Sequence, residues 1–478
     1  MIANRYSMFH LIVLSAALCG GCALKPSETV KNTKPNVIFI LTDDQGWGDL
    51  SIAGHPCMRT PNLDRLAREG TRFTQFYVNA TVCAPSRVSL MTGRYPAWNN
   101  VHHIYLRQDF NIRHGMPDYL DHDAFTVADL MKKAGYTTAH IGKWHLEGRD
   151  IPSPPSNYGF DEWLVTHDAS QSPIYKERFA STEHRVTRAS HWIVDDVIDF
   201  IDRQKDSGKP FYLNLWTLVP HGLLLPTPEE LAEYKDLQAD PDDFESWMKE
   251  YAHAAENFTK QMKVFCAAMT STDQAFGRLF DYLDKTGLAE NTIIVFTSDN
   301  GPEDYHVGDA KNAGVGSPGV ARGRKRSIYE GGIRVPCIVR WPGRVPAGKV
   351  SDAVWSGVDL MPTLAAITGA DVADPSILDG EDVTDIWMGS NRKRSKDLFW
   401  EWKYEVKGNP DYKPPQLAVR SGDWKFLCDP DGSNRELYNI ADDPAEMHNR
   451  AADFPERASE LKARLLAWKK IIPERFER

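Results

Sequence analysis

Short, nearly unbroken apolar runs recur along this chain, separated by longer stretches that carry helix signals. The runs at residues 36–41, 136–141, 211–216, 292–298 and 337–341 hardly alternate with polar positions, which predicts strands covered on both faces. Helix punctuation lies between them. Thr60-Pro61 reads as a cap followed by a first-turn proline, residues 126–135 run from Thr126 to a terminating glycine, and 273–287 run from Asp273 to another. A further helix is predicted to open at Ser86 and Arg87 and to stop near Gly93. Strand and helix in alternation imply an α/β fold. The pattern breaks at 371–397 into Asp-rich, Gly-containing and basic pieces, read as a linker or peripheral loop. Short strands at 398–403, 416–420, 424–427 and 436–438 follow, with a turn at Ser421-Gly422-Asp423. An amphipathic helix at 455–471 closes the chain, with Leu461, Leu465, Leu466 and Trp468 on its apolar side. The expectation is a main domain over 35–395 and an α+β C-terminal subdomain over 396–478 with a short antiparallel sheet and a terminal helix.

Composition narrows the function classes. A chain of 478 residues with 14 Trp and 17 Tyr has ample material for a core, and its length allows two to three domains. A net charge of −10 argues against an electrostatic grip on nucleic acid, so no nucleic-acid partner is expected and any anionic ligand must be met by cations placed locally. Residues 1–22 read as an export signal: Arg5 precedes an apolar run at 11–18 that is too short to span a bilayer. Cys22, after Gly20-Gly21, offers membrane attachment as the lipid-carrying first residue of a lipoprotein, and simple cleavage is the alternative; residues 23–34 then serve as a linker. The protein is expected to be exported, either periplasmic or a lipoprotein of the outer membrane or cell surface. Five cysteines follow the signal (Cys57, Cys83, Cys266, Cys337 and Cys428), an odd number without CxxC spacing, which argues against a disulfide framework or a zinc site.

Asp43 and Asp44 directly follow the first apolar run, and Asp299 and Asn300 follow the fourth in the same way. Open α/β sheets bind ligands beyond the carboxyl ends of their strands, so if both strands are central these oxygen-bearing side chains converge. Three carboxylates and an amide suit a hard divalent cation, Ca²⁺ or Mg²⁺, better than zinc. Taken separately, each pair reads equally as a turn or a helix cap.

Cys83-Ala84-Pro85-Ser86-Arg87 contains Cys-x-Pro-Ser-Arg, the sequence read by maturation enzymes that oxidise cysteine to formylglycine. It is accompanied by Leu90-Met91-Thr92-Gly93-Arg94, Gly142-Lys143-Trp144-His145-Leu146, Val219-Pro220-His221, and the stretch 325–336 with Tyr329-Glu330-Gly331-Gly332. In these motifs and their order the chain resembles the formylglycine-dependent sulfatases of the alkaline phosphatase superfamily, and among them the bacterial polysaccharide sulfatases. The segments 418–425 and 436–439 extend the match. The resemblance implies a large mixed sheet sandwiched by helices and a Ca²⁺ ion held by Asp43, Asp44, Asp299, Asn300 and the modified Cys83. It further implies a formylglycine nucleophile at Cys83 and stabilisation of its hydrate by Arg87. Lys143 and Lys325 would hold sulfate oxygens, His145 would assist release, and His221 would serve the leaving oxygen. Lys143 and His145 lie two apart on a segment expected to be extended, which points them to one side. One departure stands out: the family often has glycine directly after His145-Leu146, and this chain has Glu147 before Gly148.

The implied partners are a sulfated glycan and a formylglycine-generating maturation enzyme. Candidate substrate contacts are the segment 99–103, Arg107, His114, the loop 168–178 and His306, with Trp47, Trp98 and Trp163 as stacking surfaces. Two other readings stay open: a phosphodiesterase or phosphonate monoester hydrolase of the same superfamily, and an inactive glycan-binding lipoprotein.

Overall fold

The computed structural model describes residues 34–304, 312–404 and 410–476; the N-terminal signal with Cys22, the linker up to residue 33, and His306 lie outside them. Among the described residues the main sheet has nine strands: β1 (Asn36–Asp43), β2 (Thr71–Tyr77), β3 (Thr137–Gly142), β4 (Glu162–Val165), β5 (Phe211–Pro220), β6 (Thr292–Ser298), β7 (Arg334–Arg340), β8 (Lys349–Ser351) and β9 (Trp355–Ser356). Their order is β4-β3-β5-β1-β6-β7-β2-β8, with β9 also paired to β2. Parallel pairing runs from β4 to β6, while β7 is antiparallel to both β6 and β2. The sheet is therefore mixed, and β1 lies between β5 and β6 at its centre.

Successive side chains of a strand face opposite ways, and β1 uses both sides. Val37, Phe39 and Leu41 join a core shared with the helices Cys83–Thr92, Val127–Lys133 and Leu360–Thr368. Ile38 and Ile40 join the opposite core, under the helices Pro61–Glu69, Arg185–Gln204 and Phe258–Thr286. This double cover explains why the central strands read as unbroken apolar runs. Strand β2, Thr-Arg-Phe-Thr-Gln-Phe-Tyr, mixes polar and apolar positions, and so does not.

Three expectations need correction. The helix expected from Asp273 begins at Phe258, and Asp273 lies within it. Its carboxylate instead accepts the N–H groups of Asn62 and Leu63, at 3.0 and 2.8 Å, capping the first turn of the neighbouring helix Pro61–Glu69. The helix expected from Ser86 opens at Cys83, and all ten of its residues are buried. The stretch 371–397 is no loose linker, because Val383, Ile386 and Trp387 are buried in the main core and the Trp387 ring packs edge-on against Trp355.

A second sheet follows, antiparallel in the order β10 (Leu398–Glu401), β11 (Leu417–Ser421), β12 (Trp424–Cys428) and β13 (Glu436–Asn439). The helix Pro455–Ile471 covers it through Leu461, Leu465 and Trp468. Its other side is tied to the first sheet. Trp400 Nε1 donates to the Val78 carbonyl at 2.8 Å, and the fully buried Lys425 bonds Glu330 at 3.0 Å and Glu446 at 2.9 Å. The five cysteines are buried and free. No helix among the described residues is long and apolar enough to cross a membrane.

Candidate active site

The parallel register of β1 and β6 pairs Thr42 with Ser298, so both strands release their acidic residues at the same end. The backbone then crosses over: Asp299 N–H donates to the Thr42 carbonyl at 3.1 Å, and Asp44 N–H donates to Asp299 Oδ1 at 3.1 Å. Asp44 takes a left-handed conformation, φ 68°, that turns it back toward the sheet end. Asp43, Asp44 and Asp299 are buried, and each offers an oxygen that, together with Cys83 Sγ, lies within a 4.8 Å mutual span.

Cys83 is the first residue of its helix, after Val82, which provides no side-chain cap. The positive end of the helix thus faces the carboxylates. The Cys83 thiol sits 3.3 Å from Asp43 Oδ1 and 3.5 Å from Lys325 Nζ. One turn on, Arg87 is fully buried: its Nε and Nη2 donate to Asp299 Oδ2 at 3.0 and 2.7 Å, and its Nη1 donates to the Lys143 carbonyl at 2.9 Å. Its guanidinium also lies over the Trp216 ring.

Strand β3 delivers Lys143. Here glycine is required, since a Cβ on Gly142, φ 128°, would sit 1.8 Å from the Trp216 carbonyl oxygen. That close approach lets Lys143 N–H bond the same carbonyl at 2.9 Å, and Lys143 Nζ reaches Asp43. Lys325 arrives on a loop folded against the Glu-Gly-Gly signature, where a Cβ on Gly332 would meet the Ser327 carbonyl oxygen at 2.0 Å. Its ammonium bonds both Asp44 oxygens, at 2.6 and 2.7 Å, and lies 3.6 Å from Glu303. Of the cluster of arginines around it, Arg324 points away, to the carbonyls of Glu303, Gly314 and Gly316. His221 follows β5, with Nε2 3.8 Å from Asp44 Oδ2 and a side chain 41% exposed, so it stands at the mouth of the site.

The charges are strongly interdependent. Burial alone would raise the Asp43 carboxyl, but Lys143, His221, Arg87 and Lys325 hold it well below the usual carboxylate range. Asp299 is pushed up to about 7 by burial and by Asp43, against the pull of Arg87. Burial opposes the charge on Lys143 and Lys325, and Asp43 and Asp44 respectively more than restore it. Partial burial and the charge of Lys143 lower His221 to about 4, and burial with Lys143 and Arg87 holds His145 well below its usual value.

Every residue expected at the metal and catalytic positions is therefore in one place, with one difference in detail. The segment expected to be extended turns at His145, φ 58°, and Asp168 Oδ2 accepts its N–H at 2.9 Å. The expected substrate contacts are more scattered. His102 is buried beside Glu401, His103 stacks on Trp402, His114 stacks on Phe110, and Arg107 is exposed beside Asp109. Trp47 donates to the Thr74 carbonyl and lies near Arg334, Trp98 bonds Asp379, and Trp163 stands on the edge strand β4.

Two neighbours of the site, His167 and Glu303, were not marked in the sequence, and Asp168 was expected only as a substrate contact. Thr166 N–H donates to the Gly142 carbonyl at 3.0 Å, which brings His167 and Asp168, just past β4, beside Lys143 and His145. The signal was the one used for Asp43 and Asp299, polar residues directly after a strand, but β4 is short and lies at the sheet edge. Glu303, paired with Lys325 and bidentately with Arg326, is held down at about 2 by these cations against the effect of burial.

Three buried carboxylates and an amide suit a hard cation, and one further observation fits. Asn300 Nδ2 donates to Asp44 Oδ1 at 2.7 Å, whereas its Oδ1 is buried without a hydrogen-bond partner. A cation ligated there would satisfy an acceptor that is otherwise costly to bury.

Comparison with known proteins agrees with this geometry. Residues 35–370 match the Sulfatase family, and 323–470 match the family described as N-sulphoglucosamine sulphohydrolase, C-terminal. The chain is 32% identical over 408 residues to the N-acetylgalactosamine-6-sulfatase of Canis lupus familiaris, covering 79% of this chain and 69% of that protein. It is 28% identical over 443 residues to the ulvan-active sulfatase of Formosa agariphila, covering 91% and 80%. Among solved structures, Ps i-CgsB in complex with k-i-k-neocarrahexaose superposes with a TM-score of 0.74 at 26% identity, covering 93% of this chain and 95% of that one. With its mixed sheet, its C-terminal four-stranded sheet and these matches, the chain belongs to the sulfatase family and is a sulfatase, an enzyme that hydrolyses sulfate esters.

Proposed function

We propose that the enzyme removes sulfate from a sulfated polysaccharide or its oligosaccharides, using formylglycine made from Cys83 and one Ca²⁺ ion held by Asp43, Asp44, Asp299 and Asn300. The observation that carries this reading is the convergence of Cys83 with three buried carboxylates and two buried lysines at the sheet end. Carbohydrate as the substrate is supported by the relatives, whose names specify N-acetylgalactosamine, ulvan and a neocarrahexaose. Export, read from the N-terminal segment, fits a polymer met outside the cytoplasm.

Charge counting supports an anionic substrate. Asp43, Asp44 and Asp299 are offset by Arg87, Lys143 and Lys325. A bound divalent cation then leaves the site net positive, which favours a sulfate ester anion despite the negative charge of the whole chain. When bound, the ion supplies Lewis acidity that makes an oxygen on residue 83 easier to deprotonate and draws on a sulfate oxygen. The remaining work belongs to the side chains. Arg87, fixed by Asp299, keeps a cationic donor beside the reacting group. Lys143, just past β3, and Lys325, on its loop, both reach the acidic cluster and hold the sulfate oxygens between them. His221, at the mouth, hydrogen-bonds or protonates the departing sugar oxygen, and His145, on the inner side, assists release.

The test is sulfate release from a panel of sulfated glycans by protein made in a maturation-competent host, before and after treatment with a calcium chelator. Release that stops on chelation and returns with Ca²⁺ is expected. Release that is indifferent to chelation would remove the ion from the account, and no release from any glycan would remove the carbohydrate substrate.

A further inference from the structure

Glu147 occupies the position at which this chain departs from the family's usual glycine, and it is buried with its carboxylate fully engaged. Oε1 accepts the Ser170 N–H at 2.7 Å; Oε2 accepts the Ser170 hydroxyl at 2.6 Å and also the Ser153 N–H. Each serine anchors a different loop. The Ser153 carbonyl accepts Trp144 Nε1–H at 2.9 Å, and its hydroxyl pairs with Tyr158 Oη at 2.7 Å. Ser170 lies in the turn that begins at Asp168, the residue whose carboxylate accepts the His145 N–H.

His145 is therefore gripped from both directions. Its chain neighbours Trp144 and Leu146 are fully buried, and His145 and Asp168 both sit in the left-handed region, at φ 58° and 77°. Side chains other than glycine persist there only where their surroundings over-determine the backbone. Glu147 bonds both loops that impose this conformation, and a glycine in its place would bond neither through a side chain.

We propose that Glu147 is a positioning residue for the reaction: by clamping the Ser153 and Ser170 loops together it fixes His145 in the strained turn that presents the imidazole beside Lys143. The inference rests on the assignment of His145 to turnover made above. A glutamine at this position keeps the volume but offers one acceptor oxygen where three donors converge, and its amide N–H groups face other N–H groups.

The experiment is a double-mutant cycle on kcat and KM with 4-nitrophenyl sulfate and with the best glycan of the panel, melting temperatures being recorded alongside. For Glu147→Gln, kcat should fall about 10- to 100-fold with KM little changed, as expected for a misplaced catalytic group. In a His145→Ala background the same change should cost almost nothing further, because the group it positions is gone. If Glu147→Gln fails to fold, Ser170→Ala, which removes only the hydroxyl donor, should show a smaller loss that likewise vanishes without His145. A wild-type kcat, or an equal loss with and without His145, overturns the proposal. His145→Ala at full activity instead overturns the underlying assignment, and the two failures are distinguishable.

Discussion

Replacing Arg87 tests packing and chemistry in one side chain. Its guanidinium makes two hydrogen bonds to Asp299 Oδ2, at 3.0 and 2.7 Å, and one to the Lys143 carbonyl, at 2.9 Å, all without access to solvent. Arg87→Met leaves the buried Asp299 carboxylate without its guanidinium, and stripping one partner from a buried pair costs about 3–5 kcal/mol. Arg87→Lys keeps the charge but not the fork; an ammonium reaches at most one of the two acceptors, so a loss of about 1.5–3 kcal/mol is expected. Turnover should fall further than stability explains. Loss of one preorganised donor beside a reacting oxygen costs about 10²–10³ in kcat, and Arg87→Lys, though folded, should show a loss of that order. Urea unfolding followed by tryptophan fluorescence and sulfate release at saturating substrate measure the two effects separately. An Arg87→Met protein with the wild-type urea midpoint would refute the buried pair, and a folded Arg87→Lys protein at full kcat would refute the catalytic placement.

His55 Nδ1 accepts the N–H groups of Cys57 and Met58, at 3.1 and 3.0 Å, and burial lowers its pKa from 6.5 to about 4. The unfolded chain therefore binds the proton more tightly, so this contribution is whole above pH 6.5 and is lost as pH falls toward 4, by about 3 kcal/mol. His55 faces Asp49, which burial raises to about 7, so the effect is isolated by comparing wild type with His55→Asn: the stability gap between them should shrink on acidification, and a pH-independent gap would refute the assignment. Lys425→Met leaves Glu330 and Glu446 buried without their shared ammonium and should lower stability by about 3–5 kcal/mol in urea unfolding; an unchanged midpoint would show that the two sheets are not joined there. Asp299→Ala should abolish sulfate release and Ca²⁺-dependent thermal stabilisation together, and full turnover would sink its role as a ligand.

How much was legible in the sequence follows from which physical signals are local. Strands β1, β5 and β6 were legible because cover on both faces writes itself as an unbroken apolar run, and the residues just past them mark the site for the same reason. Cys83, Arg87, Lys143, His145, His221 and Lys325 were legible through motifs. Strand β2 was not, since its polar and apolar positions alternate irregularly. The early start of the helix Phe258–Thr286 was hidden because Asn257 precedes it in a left-handed conformation with no side-chain cap, while Asp273, which resembles a cap in sequence, caps a different helix. Glu147 was visible only as a departure. Its clamp depends on Ser153 and Ser170, whose nearness is a property of the folded loops. The expected substrate contacts belong to the same category: Trp47 and Trp98, stacking surfaces expected from the sequence, spend their indole N–H groups on Thr74 and Asp379.

In the proposed mechanism residue 83 acts as formylglycine. The most direct measurement is peptide mass spectrometry of the segment containing Cys83, on protein from a maturation-competent host and from one that lacks the maturation enzyme, with sulfate release recorded on both samples. Conversion to the aldehyde in the first sample, with turnover in proportion to the converted fraction, is the predicted result. Equal turnover by protein that retains an unmodified Cys83 thiol would contradict it.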